Sequence, residues 1–168
     1  APPARAQAGA SEAVDVAGAL PESWEVRAPR RRTLRYGENP SQQAGLYGVG
    51  DDFPFNLEQL HGKELSYNNY LDLPCGRDVL AEFGDALVAV VVKHGIPCGA
   101  ARGSTPAEAY RLARDADTLS AFGGVVALNR PLDVATAALL NETFLEVVLA
   151  PDYAPEAQAA LRTKKNRV

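Results

Sequence analysis

The feature that most constrains this chain is an unbroken apolar run at residues 86–92, which reads ALVAVVV. Seven apolar residues are far too few to span a bilayer. A segment that is apolar on both faces is typical of a strand in the middle of a sheet that helices cover on both sides. The run therefore predicts a central, buried strand.

Segments on both sides of this run alternate between strand and helix patterns. Thr105, Pro106 and Glu108 form a capping-box pattern at the start of one helix, and Pro74 is expected in the first turn of another. The predicted strands are 23–28, 45–49, 86–92, 124–128 and 146–149, and the predicted helices are 69–83, 105–117, 133–144 and 155–163. This alternation predicts an α/β fold with a largely parallel sheet.

Length and charge limit the class of protein further. At 168 residues the chain is long enough for one domain with a single core. Residues 1–22 are rich in Ala, Pro and Gly and are interpreted as a linker or a disordered tail, followed by one domain over residues 23–168. A net charge of −4 creates no field that favours nucleic acid or an anionic membrane, so we expect neither as a partner. The short basic runs at 30–32 and 164–167 are interpreted as solvated surface.

Cysteine usage indicates the compartment. Cys75 and Cys98 have neither the spacing of a disulfide framework nor that of a metal knuckle. Reduced thiols, and the lack of a signal-peptide pattern in the first thirty residues, predict a cytoplasmic protein. The chain starts with Ala rather than Met, which suggests a piece of a longer protein.

Lys93 and His94 directly follow the apolar run, and the sequence then turns through Gly95, Ile96 and Pro97. Ligands of open α/β sheets bind at the carboxyl ends of strands. A lysine and a histidine held there could supply a cationic hydrogen-bond donor and a proton shuttle near neutral pH. The alternative is structural, with the lysine reaching solvent and the histidine satisfied by backbone groups.

Two further clusters stand close to predicted strands. Gly123 allows a ligand to approach the backbone just before the strand at 124–128, and Phe122 could stack on a flat ring. Arg35, in the polar turn RYGENP at 35–40, could bind a phosphate or a carboxylate through two guanidinium nitrogens. Each cluster taken alone also fits an ordinary turn, with Phe122 as a core residue.

The sequence contains no recognisable metal site or phosphate-binding loop. A zinc deaminase needs His-x-Glu and Pro-Cys-x-x-Cys, but Ile96 stands where the Glu would be and no second cysteine follows Cys98 at that spacing. His61, His94 and two scattered cysteines do not make a ligand set. Neither a Walker A loop nor a G-x-G-x-x-G follows a strand. We therefore expect no metal cofactor.

Six stretches taken together resemble one family, the bacterial bifunctional purine-synthesis proteins called PurH. In chain order they are LRYGENPSQQAGLY, LHGKELSYNNYLDL, VVKHGIPCGAA, SAFGGVVALNRPLD, EVVLAPDY and KKNRV. The resemblance runs from about Leu20 to Val168 and is to the beginning of the family's formyltransferase domain. It implies a fold related to cytidine deaminases, with α/β/α layers and without their zinc site.

The resemblance also implies a reaction, formyl transfer from 10-formyltetrahydrofolate to the 5-amino group of the ribotide AICAR in IMP biosynthesis. His94 would be the general base or proton shuttle, and Lys93 would stabilise the oxyanion that develops on the formyl oxygen. Glu146 falls where the family has an acidic residue near the folate. The implied ribotide-binding residues are Arg35, Tyr36, Gly37, Lys63, Asn69, Phe122 and Gly123.

Departures from the family pattern leave alternatives open. Gly95 and Ile96 replace a Thr-Asn pair, and Ser41 replaces a histidine. The family's domain is longer than this chain and shares its site across a homodimer, so we expect an incomplete unit that is inactive alone. Residues 95–99 and 164–168 are then expected to be among its least constrained parts. A nucleotide-binding module without catalysis and an α/β scaffold without a ligand are the alternative interpretations.

Overall fold

The computed structural model describes Ser23 and residues 25–168. The predicted linker at 1–22 and Trp24, in the first predicted strand, lie outside the described residues. The remaining described part of that predicted strand, up to residue 28, has no strand geometry. The prediction is wrong there, and the first strand begins later, at Arg30.

Strands and helices alternate along the described chain. The strands are β1 (Arg30–Leu34), β2 (Ala44–Tyr47), β3 (Val88–Lys93), β4 (Ile96–Arg102), β5 (Gly124–Leu128) and β6 (Leu145–Leu149). The helices are α1 (Tyr67–Ala81), α2 (Pro106–Ala116), α3 (Thr118–Ala121), α4 (Val134–Asn141) and α5 (Pro155–Arg162). Four of the predicted strands and all four predicted helices are confirmed to within three residues at each end, whereas β1, β4 and the short α3 were not predicted.

The main sheet has the strand order β4-β3-β5-β6, and β1 and β2 form a separate antiparallel pair. β3 is antiparallel to both β4 and β5, whereas β5 and β6 are parallel. The α/β class is confirmed, but the prediction of a largely parallel sheet is wrong. Only two residues connect β3 to β4, and so short a connection can join only antiparallel strands. The crossover through α2 then makes β5 parallel to β4 and therefore antiparallel to β3.

β3 is the buried centre of the sheet, as the apolar run predicts. Residues 88–92 are completely shielded from solvent. Ala89 and Val91 pack in a cluster with residues of α2, α4 and α5. The alternate valines of the same strand pack in a cluster with residues of α1 on the opposite face. Helices therefore cover both faces of the strand that ends at Lys93.

The start of α2 is fixed by side chains around Thr105. Its hydroxyl oxygen accepts a hydrogen bond from the Glu108 backbone N–H at 3.1 Å, so the predicted N-cap is confirmed. The Glu108 carboxylate reaches one residue further back than a capping box requires. It accepts hydrogen bonds from the backbone N–H and the hydroxyl of Ser104.

The start of α1 is a complete capping box. The Ser66 hydroxyl oxygen accepts from the Asn69 backbone N–H, and the Asn69 amide oxygen accepts from the Ser66 N–H. The helix consequently begins at Tyr67, two residues before the predicted start. Pro74 then lies inside the helix, so its predicted place in the first turn is wrong.

The last residues of the chain are anchored rather than loosely held. Arg167 is only 4% exposed, and its guanidinium donates to the carbonyl oxygens of Leu140 and Thr143 at the end of α4. Val168 makes two backbone hydrogen bonds with β6, of 2.8 and 2.9 Å. The expectation of a solvated, weakly constrained segment at 164–168 is wrong for Arg167 and Val168, because the end of α4 and β6 bond to them. Residues 164–166 are exposed, as expected.

Candidate functional site

The turn between β3 and β4 lies at the end of the buried strand. Lys93 pairs with Ile96, so His94 and Gly95 alone form the turn. Their φ angles are 55° and 73°, the two positive values that a type I′ turn requires. Residues 96–99, expected to be part of a loop, instead pair with β3. His94 is exposed at the tip of this rigid hairpin.

Asp72 of α1 contacts this turn through its carboxylate. One of its carboxylate oxygens accepts a hydrogen bond of 2.6 Å from the Gly95 N–H, and the residue is only 7% exposed. Burial raises the pKa of this carboxyl group, and the negative charge of Glu146 adds to the rise. The Gly95 hydrogen bond and the positive charge of His94 act in the opposite direction. Asp72 is therefore an ionisable group inside the protein that lies close to the predicted catalytic pair.

Lys93 connects the turn to the loop before β5. Its ammonium donates a hydrogen bond to the carbonyl oxygen of Phe122. Gly123 has a φ of 74°, and a Cβ atom at this position would lie 3.9 Å from the Lys93 Nζ. Phe122 is 59% exposed, and its ring centre lies 5.3 Å from that of Phe144. The alternative interpretation of Phe122 as a core residue is wrong, since an exposed aromatic pair lies beside the lysine.

A small cleft of about 60 Å³ lies next to this aromatic pair and includes Phe144 in its wall. Asn69 is 4% exposed, and its Nδ2 donates to a Glu146 carboxylate oxygen at 2.9 Å. The amide oxygen of Asn69 accepts from the Ser66 hydroxyl at 3.0 Å, so both ends of the amide are fixed. The other residues that line the cleft are Arg35, Lys63, Glu64, Asn166 and Val168.

Arg35 reaches the cleft from the loop that follows β1. Its guanidinium donates to the Tyr36 hydroxyl at 3.0 Å and lies 4.7 Å from the centre of the Tyr36 ring. Gly37 is buried, and a Cβ atom there would lie 2.8 Å from the Cβ of Gln42. Tyr36 therefore orients Arg35, and Gly37 allows the loop to close. Neither residue lines the cleft itself.

The predicted site residues thus fall into two neighbouring groups. Those that line the cleft are Arg35, Lys63, Asn69 and Glu146. Those at the β3–β4 turn and its supporting loop are Lys93, His94, Phe122 and Gly123. Phe144 joins the two groups, since it lines the cleft and its ring contacts that of Phe122. Asp72 joins them electrostatically, because the charges of both His94 and Glu146 act on it.

Five residues of this region escaped the sequence analysis: Asp72, and four that line the cleft, Glu64, Phe144, Asn166 and Val168. Asp72 follows Asn69 by three residues, which places both on one side of α1, and this spacing was an available signal. Phe144 and Asn166 carry no such signal. They reach the cleft only because α4, β6 and the end of the chain pack together.

Within residues 25–168, no three His, Cys, Asp or Glu side chains are grouped so that they could hold a metal ion. Cys75 and Cys98 are free, and burial is the main cause that raises the pKa of each thiol. No helix in the described part of the chain is long and apolar enough to cross a membrane.

A sheet covered by helices, with cationic, carboxylate and aromatic groups beside the end of its central strand, defines an α/β domain, and in such domains ligands bind at the ends of strands. Residues 6–168 match the sequence family described as the AICARFT/IMPCHase bienzyme. The chain belongs to this family, and its predicted membership of the PurH family is confirmed.

Three curated relatives show the extent of the match, and each is named bifunctional purine biosynthesis protein PurH. The chain is 51% identical over 149 residues to the protein of Cyanothece sp., which covers 88% of this chain and 29% of that protein. It is 50% identical over 151 residues to the protein of Myxococcus xanthus, covering 88% and 29%. It is 49% identical over 163 residues to the protein of Cereibacter sphaeroides, covering 90% and 30%. The chain therefore spans less than a third of the length of these relatives.

Proposed function

We propose that this chain is part of an AICAR formyltransferase, which transfers a formyl group from 10-formyltetrahydrofolate to the 5-amino group of AICAR. One observation carries the proposal. Four residues implied by the family resemblance, from three separate stretches of the sequence, line a single cleft: Arg35, Lys63, Asn69 and Glu146. The Lys93–His94 turn lies next to that cleft through the Phe122–Phe144 pair.

The chemistry of these groups suits a flat, anionic ribotide. Arg35 and Lys63 supply the positive charge that attracts a phosphate. The Asn69 amide and the Glu146 carboxylate, fixed by their mutual hydrogen bond, offer directed polar groups for a carboxamide or a pterin. The exposed faces of Phe122 and Phe144 suit stacking on an aromatic ring.

The proposed reaction forms a bond between the AICAR amine nitrogen and the formyl carbon, and it breaks the bond from that carbon to N10 of the folate. The amine is a poor nucleophile because it is conjugated with the carboxamide, so its proton must leave during the attack. His94 takes this proton, and the proton that N10 gains completes the tetrahydrofolate product. Lys93 donates one N–H to Phe122, and its other two N–H groups are donors for the developing oxyanion.

The cleft is small, about 60 Å³, which agrees with a unit completed by further protein. We propose that the working enzyme is a cytoplasmic homodimer, and that residues outside this chain and on a second subunit close the site. The cytidine-deaminase-like layering implied by the resemblance belongs to the same proposal. In isolation the 168-residue chain is then expected to bind AICAR weakly and to lack turnover.

The test is a pair of assays on the natural protein that carries this chain. One follows tetrahydrofolate formation from AICAR and 10-formyltetrahydrofolate, and the other follows cyclisation of the formylated ribotide to IMP. His94→Ala should lower kcat for formyl transfer by about 10²-fold, the scale for loss of a general base, and should leave cyclisation unchanged. Loss of cyclisation with intact formyl transfer would assign the chain to the other activity of its relatives. Ribotide binding without either activity would indicate a binding module.

A further inference from the structure

Asp72 is a buried ionisable group beside the predicted catalytic pair, and the proposed reaction does not use it. It lies in the second turn of α1, three residues after Asn69. The hydrogen bond that it accepts comes from the backbone N–H of Gly95, at 2.6 Å. Gly95 directly follows the predicted catalytic histidine. The Asp72 carboxylate therefore binds the backbone of the turn that carries this histidine, and it does not bind a side chain there.

The turn that Asp72 contacts has an uncommon backbone conformation. His94 is a non-glycine residue with a φ of 55°, a region that side chains other than those of Asn, Asp and His rarely adopt. Such conformations are strained for most side chains and persist only where the surrounding structure holds them. The Gly95 N–H bond to a carboxylate is a charge-assisted hydrogen bond, stronger than one between neutral groups. Asp72 therefore supplies a strong fixed contact at the place where the backbone is strained.

The same helix turn also fixes the cleft. Asn69 and Asp72 are three residues apart, so they project from neighbouring positions on one side of α1. Asn69 holds Glu146 of β6 at 2.9 Å, and Asp72 holds Gly95 at the end of β3. One rigid turn of α1 thereby sets the distance between the cleft and the histidine.

Stability does not explain a carboxylate at this place. Asp72 is 7% exposed, and burial is the largest influence on it and disfavours its charged form. Glu146 adds like-charge repulsion to that cost. An apolar side chain of similar volume would avoid both costs, as replacements of buried charges in other proteins show. What the carboxylate contributes at this place is the hydrogen bond that it accepts from the turn.

The geometry points to Asp72 as the positioning residue of the site, whose carboxylate holds the His94–Gly95 turn at a fixed distance from the Asn69–Glu146 pair. This inference rests on the proposed function for its kinetic consequence, but not for the contact itself. Asp72 touches neither substrate nor the reacting atoms, and acts only through the backbone of the turn. Its removal should therefore lower the rate of the chemical step more than the affinity for the ribotide.

The contact can be read directly by NMR spectroscopy. Both histidines of the chain, His61 and His94, are followed by glycine. Labelling histidine with carbonyl ¹³C and glycine with ¹⁵N therefore isolates two amide signals, those of Gly62 and Gly95. The chemical shift of an amide proton that is hydrogen-bonded to a carboxylate changes when that carboxylate titrates. The chemical shift of the Gly95 amide should therefore change with pH. The Gly62 signal is the internal control.

Two variants separate the charge from the hydrogen bond. Asp72→Asn keeps an oxygen that can accept from Gly95 but removes the charge, whereas Asp72→Ala removes both. The pH-dependent shift of Gly95 should disappear in both variants. Other titrating groups act near Asp72, namely His94, Glu146, Cys75 and Cys98, so the shift is assigned to Asp72 only if Asp72→Asn abolishes it. Asp78→Asn, on the exposed side of the same helix, is the matched control and should leave the shift intact.

The kinetic arm uses the natural protein that carries this chain. Asp72→Ala should lower kcat for formyl transfer by about 10- to 100-fold, because small misplacements of a reacting group cost rates of this order. The KM for AICAR should change by less than about threefold. Asp72 positions the histidine for the chemical step and does not bind the ribotide, so its loss should affect kcat rather than KM. Asp72→Asn should recover part of the lost kcat, and Asp78→Asn should match the wild type.

The inference is overturned if the pH-dependent shift of the Gly95 signal persists in Asp72→Asn. A folded Asp72→Ala variant with wild-type kcat also overturns it. If Asp72→Ala does not fold, the Asp72→Asn variant decides the question in both arms. If the wild type itself shows no formyl transfer, the proposed function fails. The NMR result then decides alone whether Asp72 positions the turn.

Discussion

At the scale of single residues, the predicted catalytic pair has two different backbone environments. Lys93 is the last extended residue of a buried strand, whereas His94 has a φ of 55° at the tip of the turn. The sequence indicates the chain reversal through Gly95 but not this left-handed conformation, because even histidine, which is enriched there, adopts it only in a minority of cases. The strain lies at a predicted functional position, which is where folded proteins tolerate it.

The first prediction concerns this strain. His94→Gly should have a free energy of unfolding about 1 kcal/mol higher than that of His94→Ala, because alanine pays the cost of the left-handed region and glycine does not. Both variants should lower kcat for formyl transfer in the natural protein by about 10²-fold, since both remove the imidazole. Urea denaturation of the two variants gives the difference directly. Equal stability would mean that the turn relaxes to another conformation when the imidazole is removed.

The second prediction follows from the burial of Asp72, which raises the pKa of its carboxyl group in the folded chain. Between the ordinary pKa and this raised value, the folded state binds more protons than the unfolded state. The contribution of Asp72 to stability is then present at low pH and is lost as pH rises through that window. Asp72→Asn carries no titrating carboxyl group at this position and does not lose stability in this way. Its free energy of unfolding relative to that of the wild type should therefore increase as pH rises.

The measurement is urea denaturation of wild type and Asp72→Asn at several pH values between 3 and 7, with Asp78→Asn as the surface control. A stability difference that does not change with pH, or that changes in the opposite direction, would contradict the assigned cause. It would mean that the Gly95 hydrogen bond and the His94 charge outweigh burial.

The candidate site shows how far sequence reasoning extends at this scale. The identities of Lys93 and His94 follow from their place after an apolar run, together with the family resemblance. The contact between Asn69 and Glu146 joins residues 77 positions apart, and no local pattern contains it. It exists because α1 packs against the sheet with its first turn near β6. The roles assigned to these residues stay predictions.

At the scale of helices and strands, periodic segments were predicted well and strands rich in small or charged residues were not. β4 reads IPCGAAR, and its Pro and Gly favour a turn. It forms a strand because it lies at the edge of the sheet, where a proline is tolerated, and because β3 offers a complete hydrogen-bonding edge. β1 reads RRRTL and is exposed except at Leu34, so its pairing with β2 leaves little apolar pattern in the sequence.

The third prediction compares two helix caps. Thr105→Ala should lower the free energy of unfolding by about 1 kcal/mol through loss of the N-cap bond, with no effect on AICAR affinity. Ser66→Ala should lower the free energy of unfolding by a similar amount. It should also weaken AICAR binding, because the Asn69 amide beside the cleft loses its hydrogen bond from the Ser66 hydroxyl. Urea denaturation and calorimetric titration of both variants measure the two effects. Equal effects on affinity would show that the cap does not orient Asn69.

At the scale of the whole molecule, the sequence predicted the layers but not the strand directions. Alternating strands and helices indicate α/β architecture, and helices do cover both faces of β3. Strand direction depends on the length of each connection, and the two-residue β3–β4 turn was read as a longer loop. The end of the chain is a second case. Its basic run suggested solvent exposure, yet Arg167 is buried because the end of α4 needs hydrogen-bond donors.

The last prediction tests this anchor. The Arg167 guanidinium donates to Leu140 and Thr143 carbonyl oxygens and to the Asn141 side chain, and burial lowers its pKa. Arg167→Ala leaves these buried acceptors without partners and should lower the free energy of unfolding by about 2–4 kcal/mol. Lys164→Ala, at an exposed position of the same segment, should change it by less than about 0.5 kcal/mol.

Arg167→Met separates the two contributions to this effect. It fills the space without a charge, so it removes the cost of burying the guanidinium but still leaves the carbonyl groups unpaired. Its stability should lie between those of the wild type and Arg167→Ala in urea denaturation. Because Val168 and Asn166 line the cleft, both Arg167 variants should also bind AICAR more weakly than Lys164→Ala does. An Arg167→Ala variant as stable as the wild type would show that the end of the chain does not hold the site together.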